Sequence, residues 1–362
     1  MKAKHLSTFM MALVVATGLL FAACTQQDET PSEKDITTSQ PPKMKMTTPI
    51  PVTAENFAQA ETAWNMRNWD KLRTGPGLFH YREPTPTGSG APTVRMNWDT
   101  LYSNWVITVS DDHEFSVTLP ESDLYIAVQV IDENGFSPYY IYEKGVEHKL
   151  KVDTDHAWVL FRTELKDRHS KEALAATHAA QDQIIISGIM EDVRYVMPNY
   201  DQDQLEKLRK AYKEEYLNAG IDLTYAKGPG EVDQHILDIS HAAGFGGYPP
   251  EEGRSNIYSS SPNVPGDACH AVTFDDPKSA FFTSFTLYDT DGYLIDANSH
   301  INSDKWIPND DGTITIHFNC GDHAVNNLSS NGETFNYIVR YYGVSREVMD
   351  GTIRPLNPEP VK

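Results

Sequence analysis

The sequence has few cysteines, a shortage of positive charge and only one long apolar run. Three cysteines among 362 residues cannot form the dense disulfide framework that holds small secreted domains together. Lys and Arg total 30 against 51 Asp and Glu, for a net charge of −21, which leaves no extended basic surface for nucleic acid. Hydrophobic residues at 40% and aromatic residues at 10% still suffice for a core, so the composition excludes a disordered chain.

Several catalytic motifs are also absent from the sequence. It contains no G-x-S-x-G, no P-loop and no dinucleotide-binding glycine pattern, so serine-hydrolase, nucleotide-hydrolysing and Rossmann-type chemistry lose their usual support. His235 and His241 are too far apart to share one helix face as an HExxH pair does. The run Asp289–Gly292 (DTDG) begins like a calcium loop but lacks the later acidic ligands. We therefore predict no metal site and no cofactor.

The one long apolar run lies at the N-terminus and predicts export. Lys2 and Lys4 precede residues 10–21 (MMALVVATGLLF), a run too short to span a bilayer comfortably. The letters AAC follow and end at Cys24, which is the pattern of a bacterial lipoprotein signal whose cysteine is lipidated. The alternative is an ordinary secretory signal with an incidental cysteine. Thr25 after the cysteine favours an outer-membrane location where the organism has one.

Composition and periodicity divide the chain into five parts. Residues 1–23 are the predicted signal peptide, and residues 24–55 are a polar, Pro-rich stretch that we interpret as a flexible tether. Residues 56–166 and 245–362 are predicted domains, and residues 167–244 are a predicted helical connection between them. With 362 residues, the chain is long enough for two domains of ordinary size.

Strand signals occur in two blocks, one on each side of a helical interval. Short runs rich in Val, Ile, Tyr and Phe, bounded by turn residues, predict strands at Leu101–Val109, Phe115–Leu119, Leu124–Ile131, Tyr139–Tyr142, Ala157–Arg162, Ala271–Phe274, Phe281–Tyr288, Thr313–Phe318 and Phe335–Tyr342. Apolar spacing and capping residues predict helices at Ser170–Ala180, Asp201–Ala219 and Glu231–Ala243. The predicted fold is mainly β, with two jelly-roll-like β-sandwich domains joined by a helical segment.

Short motifs in both blocks resemble a bacterial two-domain family. Residues 94–103 (VRMNWDTLYS) resemble the N-x-D-T-L-Y-S signature of the family called domain of unknown function 1254. Residues 285–292 (FTLYDTDG) and 350–352 (DGT) resemble its partner, domain of unknown function 1214. The resemblance covers most of residues 90–360 and implies paired jelly-roll-like domains, but it implies little chemistry. Residues 296–304 (DANSHINSD) contain His300 and no arginine, where the family usually has Asn-Arg-Tyr-Ser.

The signature around residue 99 is the first candidate site. Asn97 and Asp99 share one face at the start of a strand, while Tyr102 lies on the other face unless a turn intervenes. One interpretation is a polar cluster in which Asp99 acts as an acid/base or anchors a ligand, with Tyr102 or His300 as its partner. The alternative is an Asx-type turn that satisfies backbone donors before the strand.

Arginines within or beside the strand motifs are the second candidate site. Arg95, Arg162, Arg254 and Arg340 could line a pocket for a carboxylate or phosphate. The alternative is that each forms an ion pair with one of the many acids. A set of aromatic residues could stack on a saccharide or another flat ligand, although such residues more often pack across strands: Tyr139, Tyr140, Tyr142, Tyr258 and Trp306.

The cysteines that remain after lipidation suggest a disulfide. Cys269 and Cys320 lie in the second strand block, and an even number of cysteines in an exported protein favours pairing. Two free thiols are one alternative. A zinc site with His270 and His323 is another, although thiolates are poor zinc ligands in an oxidising compartment.

Three functions remain open from the sequence. One is an exported, lipid-anchored protein that binds a polar or anionic small molecule or a saccharide in a cleft between two sandwiches. Another is a hydrolase or lyase that uses Asp99 as its acid/base. A structural or interaction protein without a small ligand is a third possibility. The predicted partners are a small-molecule ligand and the membrane reached through Cys24, and the sequence does not predict an oligomeric state.

Overall fold

Strands dominate the part of the chain that the structure describes. The computed structural model describes residues 48–91, 94–190, 192–219, 225–244, 251–296 and 298–361. The strands are β1 (Phe79–His80), β2 (Thr100–Thr108), β3 (Glu114–Thr118), β4 (Ile126–Asp132), β5 (Tyr139–Ile141), β6 (Glu147–Lys151), β7 (His156–Glu164), β8 (Ile185–Ser187), β9 (Asn256–Ser260), β10 (His270–Asp275), β11 (Phe282–Tyr288), β12 (His300–Asn302), β13 (Thr313–Phe318), β14 (Asn327–Leu328), β15 (Asn336–Tyr342) and β16 (Glu359–Pro360). The helices are α1 (Phe57–Leu72), α2 (Lys171–Gln181), α3 (Gln202–Ala219), α4 (Gln234–Ala243) and α5 (Arg346–Met349).

The first sandwich is formed by two sheets from the N-terminal half. Its larger sheet has the strand order β1-β2-β7-β4-β5, and its smaller sheet has the order β6-β3-β8. Apolar side chains from both sheets fill the space between them, including Phe115, Val128 and Phe161. Alternate residues of these strands point to this core, as expected for pleated strands.

The second sandwich repeats this arrangement in the C-terminal half. Its sheets have the orders β12-β11-β15-β9 and β14-β13-β10-β16. Phe285, Phe318 and Tyr337 are fully buried in the core between them. Every strand pair in the named sheets is antiparallel except β13 with β14. The described residues therefore form a mainly β fold with no closed barrel, which confirms the predicted fold class.

The three helices predicted from the sequence are present as α2, α3 and α4. Ser170 caps α2, because its hydroxyl accepts the Ala173 backbone N–H at 3.2 Å, and Asp233 caps α4 in the same way. The strand β8 also lies between α2 and α3 and pairs with β3. The segment predicted as a helical connection therefore also contributes an edge strand to the first sandwich.

Helix α1 was not predicted from the sequence. Phe57 and Ala60 pack against α3 and α4, whereas Ala63 and Met66 pack against the larger sheet of the first sandwich. Because α1 is buried on two sides, its sequence lacks the single apolar stripe that marks a surface helix. Among the described residues, no helix is long and apolar enough to cross a membrane.

The β1-β2-β7-β4-β5 sheet of the first sandwich and the β12-β11-β15-β9 sheet of the second are each buried on two faces. One face of each lines the core of its own sandwich, and the other faces lie together in a second apolar cluster that contains residues of both sheets. In β15, Val339 and Tyr341 point to the sandwich core, while Ile338 and Tyr342 point to the second cluster. The strands β4, β11 and β15 are buried at every position, so the side chains between the sandwiches are sequestered from water.

Candidate functional site

The β1-β2-β7-β4-β5 sheet and the β12-β11-β15-β9 sheet meet in an aromatic layer that also contains charged side chains. We call it the inter-sandwich layer, and its buried apolar and aromatic members are Ala91, Met96, Tyr125, Ala127, Tyr258, Phe282, Tyr288, Leu294, Ile338 and Tyr342. Trp98, Tyr102, Tyr140, Tyr142 and Tyr293 pack against them and are partly buried. Most of the candidate residues predicted from the sequence lie in or beside this layer.

Asn97 and Asp99 form the predicted turn and also contact the second sandwich. The Asp99 backbone N–H donates to Asn97 Oδ1 at 2.8 Å, which is an Asx turn immediately before β2. Asn97 Nδ2 donates to the Tyr342 hydroxyl at 2.5 Å, across the inter-sandwich layer. The turn and the polar cluster were alternatives in the sequence, but the structure contains both.

The Asp99 carboxylate is enclosed by side chains of the second sandwich. Ser284 Oγ donates to Asp99 Oδ2 at 2.6 Å, and His300 Nε2 lies 3.0 Å from Asp99 Oδ1. Burial raises the pKa of Asp99, but the adjacent His300 and the Ser284 hydrogen bond outweigh burial and hold that pKa below its ordinary value. Asp99 is therefore ionised at neutral pH although it is 2% exposed.

His300 is held on both sides of its ring. The Thr286 hydroxyl lies 3.1 Å from His300 Nδ1, opposite the nitrogen that faces Asp99. The His300 ring stacks on the Trp98 ring, with the two centroids 5.5 Å apart. The Arg168 guanidinium lies over the Trp98 ring, 3.7 Å from its centroid. An imidazole that is oriented by a carboxylate and a hydroxyl can accept a proton. The structure therefore contains the contact between Asp99 and His300 that the sequence suggested.

Arg340 crosses the layer from β15 and is held through its Nη2 atom. Its Nη2 donates to the Tyr288 hydroxyl at 2.6 Å and to the Arg95 carbonyl oxygen at 3.0 Å. Its guanidinium lies 5.5 Å from the ring of Tyr258 and 5.6 Å from that of Tyr288. Nη1 is buried without a hydrogen-bond partner. The positive charge of Arg340 also helps to lower the pKa of the Asp99 carboxylate.

Arg162 lies on β7, and most of its buried guanidinium nitrogens lack a hydrogen-bond partner. It is 3% exposed, and Nη2 donates to Gln129 Oε1 at 2.9 Å. Nε and Nη1 are buried and have no hydrogen-bond partner. Among the described residues, no carboxylate lies within ion-pair distance of it. Burial lowers the pKa of Arg162, but the neighbouring Tyr258 and Tyr140 raise it by more, so that it lies above its ordinary value. The guanidinium is therefore charged, as arginine side chains in proteins are.

The tyrosines around these arginines do not neutralise them. Burial raises the pKa of Tyr102 and of Tyr125 above the ordinary value, and it does the same for Tyr288 and Tyr342. Each hydroxyl therefore remains protonated at neutral pH and contributes a dipole only. Asp99 is an ionised carboxylate of this layer, and it lies near Arg340.

A small cavity opens beside Arg162. Its volume is about 100 Å³. Its wall is formed by Asn65, Trp69, Val94, Arg95, Met96, Tyr102, Trp158, Leu160, Arg162 and Gly244. The rings of Trp69 and Trp158 touch, with centroids 5.7 Å apart, and make one side apolar. Two cations therefore share the wall of one cavity, although the protein as a whole is strongly acidic.

Arg254 and the cysteines lie outside this site. Arg254 is exposed and forms ion pairs with Glu143 and Glu251, both at 3.3 Å. It is therefore a surface residue and does not line a shared anion pocket. Cys269 and Cys320 form a disulfide in the second sandwich, with their Cα atoms 4.5 Å apart. Cys24 lies outside the described residues. In the part of the chain that the structure covers, no group of three His, Cys, Asp or Glu residues could hold a metal ion.

The aromatic residues considered as a saccharide platform do not form one surface. Tyr140 and Tyr258 lie in the inter-sandwich layer, while the Tyr139 hydroxyl donates to the Lys151 carbonyl oxygen in the first sandwich. Trp306 packs on Phe274 in the second sandwich. The five residues therefore follow the packing alternative and not a common platform, because alternate strand residues point to opposite faces of a sheet.

Several residues of the layer were not identified from the sequence. Gln129 holds Arg162, Ser284 holds Asp99, and Tyr288 lies beneath two arginines. Polar residues at alternate positions of otherwise apolar strands were the available signal. A serine or glutamine within such a run costs stability unless it has a partner, so each one indicates a buried polar contact.

The fold and the layer define a class: two antiparallel β-sandwiches that enclose buried arginines and tyrosines. No family model matches the sequence, and no curated protein matches it. Among solved structures, the chain is similar to the VPA0106 protein from Vibrio parahaemolyticus, with a TM-score of 0.63 and 15% identity over 85% of this chain and 98% of that chain. An uncharacterized protein from Burkholderia cenocepacia has a TM-score of 0.47 and 15% identity over 84% and 86%. The first similarity supports the fold.

Proposed function

We propose that the protein binds a small organic anion in the cavity beside Arg162. The observation that carries this proposal is the pair of buried donors, Nε and Nη1 of Arg162, that have no partner in the described structure. A buried charge without a partner costs several kcal/mol, and a carboxylate matches the two-pronged geometry of a guanidinium. An anion on Arg162 would satisfy both atoms and neutralise the charge.

The cavity favours a ligand of only a few heavy atoms. At about 100 Å³ it is smaller than the 300–1,000 Å³ or so of sites for drug-sized molecules. The rings of Trp69 and Trp158 offer an apolar wall opposite the charge. A short carboxylate with a compact hydrocarbon body fits this combination better than a saccharide, which needs more room and more polar partners.

Calorimetry on the mature chain, residues 24–362, tests the proposal. Acetate, butyrate, succinate, benzoate, phosphate and galactose are titrated into the wild type, the variant Arg162→Gln and the control Arg254→Gln. We expect at least one carboxylate to bind, and its affinity to fall about tenfold or more in Arg162→Gln, because a hydrogen bond to a charged group contributes about 1.5–3 kcal/mol. The control should bind as the wild type does, since Arg254 lies at the surface.

Two results of this experiment would reject the proposal. One is that no anion in the panel binds to the wild type. The other is that Arg162→Gln, shown to be folded by circular dichroism, binds the anion as tightly as the wild type. Equal losses in Arg162→Gln and in Arg254→Gln would also count against it, because they would indicate a general charge effect.

An acid–base enzyme is the second candidate function, and the contact between Asp99 and His300 favours it. In this role His300 would move a proton, and Asp99 would orient the ring and stabilise its charged form. Each anion that binds is incubated with the wild type and followed by proton NMR for conversion. Turnover that His300→Gln abolishes, with binding retained, supports the enzyme. Turnover that survives in Asp99→Asn contradicts the assignment.

Export and lipidation at Cys24 are also part of the proposed function. The supporting observations are the basic start, the apolar run and the AAC letters that end at Cys24. The motifs that resemble the domains of unknown function 1254 and 1214 support membership of that family, and they agree with the two-sandwich fold. An alkyne-labelled palmitate should label the wild type but not Cys24→Ala. Equal labelling of both proteins would contradict lipidation at this residue.

A further inference from the structure

Arg95 adds a second positive group to the cavity beside Arg162. Both side chains line the same wall, and among the described residues neither forms an ion pair with an acid. Arg95 comes from the loop before β2, whereas Arg162 comes from β7. Two cations in one small cavity repel each other, so a site that keeps both is suited to a ligand with more than one negative charge.

The backbone of Arg95 is in a conformation that an arginine seldom adopts. Its φ angle is 60°, in the left-handed region that favours glycine or asparagine. Strain of this kind persists where the surrounding structure holds the residue, and it concentrates at functional sites. The Arg95 backbone N–H donates to the Gly292 carbonyl oxygen at 2.8 Å, so the hairpin turn of the second sandwich holds the loop in this conformation.

The side chain of Arg95 is held as firmly as its backbone. Nη1 donates to Asn336 Oδ1 at 2.5 Å, and the guanidinium lies 5.4 Å from the Tyr288 ring centroid. Gly292 leaves room for this placement, because a Cβ at that position would lie 3.1 Å from Val94 Cβ and 3.3 Å from Arg95 Nε. The second sandwich thus fixes the Arg95 guanidinium of the first sandwich at the cavity that Arg162 also lines.

The positive field of Arg95 also reaches helix α3. Burial and the charge of Arg95 lower the pKa of Lys213, and the carboxylate of Asp291 opposes this effect. An anionic group near Arg95 would relieve the repulsion between the two cations, which supports a negative group at this position.

We infer that the ligand of this cavity carries two anionic groups, one bound by Arg162 and the other by Arg95. This inference rests on the proposed function and specifies its ligand as a short dianion, such as a dicarboxylate. Arg162 binds the buried group through Nε and Nη1. Arg95 binds the second group from the loop before β2, where contacts to the second sandwich hold its guanidinium in place.

Butyrate and succinate form the probe pair for this inference, because they have similar length and differ by one carboxylate. Both are titrated calorimetrically into the mature wild type and into Arg95→Asn, whose asparagine tolerates a left-handed backbone. We expect the wild type to bind succinate about tenfold more tightly than butyrate. In Arg95→Asn, the affinity for succinate should fall to that for butyrate, while the affinity for butyrate stays unchanged.

The outcomes separate this inference from the function on which it rests. Equal binding of butyrate and succinate to the wild type overturns the dianion and leaves the single-anion site standing. An equal loss of affinity for butyrate and succinate in Arg95→Asn also overturns it. Arg95 would then support the shape of the cavity and would not bind the second carboxylate. Failure of every anion to bind overturns both proposals. Phosphonoacetate, titrated alongside, distinguishes a phosphorus-containing dianion from a dicarboxylate by which of the two binds more tightly.

Discussion

His300 Nε2 lies 3.0 Å from Asp99 Oδ1, and this contact joins the two sandwiches. Asp99 precedes the first long strand of the N-terminal sandwich, whereas His300 begins β12 in the C-terminal sandwich. Ser284 donates to the same carboxylate from β11. Because all these atoms are sequestered from water, the contact ties the packing of the two sandwiches to the charge of one carboxylate.

Replacement of Asp99 by Asn should lower the free energy of unfolding by about 3 kcal/mol at neutral pH, as expected when one partner of a buried pair is removed. Because the pKa of Asp99 is lowered in the folded state, its contribution is fully present above the ordinary value of 3.8. It is lost as the pH falls through the lower folded value.

Urea denaturation of wild type and Asp99→Asn at several pH values tests this prediction. The difference between them should be constant from pH 7 to about pH 4 and should shrink below that. Asp310→Asn, at an exposed turn residue, is the control and should unfold like the wild type. A difference that stays constant down to the lowest pH would show that Asp99 acts only through packing.

Asp132 should have the opposite dependence on pH. Burial raises its pKa to about 6, so the folded state binds a proton more readily than the unfolded state. The cost of its charge is absent below pH 3.8, grows as the pH rises and is complete above about pH 6. Asp132→Asn, which can still accept the backbone N–H groups of Asn134 and Phe136, should therefore stabilise the protein by ~1–2 kcal/mol at pH 8.

The measurement is the same urea titration at pH 8 and at pH 4. The gain from Asp132→Asn should be present at the higher pH and absent at the lower one. A variant that is less stable than the wild type at pH 8 would show that the carboxylate holds its turn better than an amide can.

Gly292 and Gly312 form a matched pair for testing the position of Arg95. Both have a positive φ, 96° and 86°, so Ala at either position should cost about 1 kcal/mol of stability. Only at Gly292 does the new Cβ approach Arg95 and Val94, since nothing lies within 4 Å at Gly312. We expect Gly292→Ala to weaken succinate binding in calorimetry and Gly312→Ala to leave it unchanged. Equal affinity for succinate in both variants would show that the Gly292 turn does not position Arg95 for binding.

The disulfide between Cys269 and Cys320 should stabilise the second sandwich. The two residues are 51 positions apart, and a loop of this length corresponds to about 4 kcal/mol of stabilisation in the chain-entropy model. The double variant Cys269→Ala, Cys320→Ala should lose an amount of this order in urea denaturation. Wild type that is reduced while unfolded and then refolded should match the variant. If the two differ, the alanine side chains themselves change the packing.

Strand and helix positions were predictable because their signals are local. The runs Thr313–Phe318 and Leu101–Val109 alternate or cluster β-branched and aromatic residues between turn residues, and they form β13 and β2 within about one residue. Ser170 and Asp233 mark helix starts through their own side chains. Helix α1 escaped prediction because burial on two sides removes the apolar stripe.

The candidate site was predictable only in part. Asn97, Asp99, Arg162 and Arg340 stood out as polar residues within strand motifs, and all four lie at the inter-sandwich layer. Arg254 had the same local appearance, but it is an exposed residue paired with two acids. A sequence motif identifies the residue type at a strand position, but not which of the two faces of the sheet is covered by another sheet.

The sequence by itself determined the mainly β fold, the main strands and the acidic charge, since these follow from local patterns and composition. Only the tertiary structure decided that Asp99 contacts His300 and that two donors of Arg162 lack a partner. It also decided that Arg95 and Arg162 line the same cavity. These relationships join residues far apart in the chain. They depend on which faces of the sheets in the two sandwiches pack together, and period-two patterning cannot encode that choice when both faces of a strand are buried.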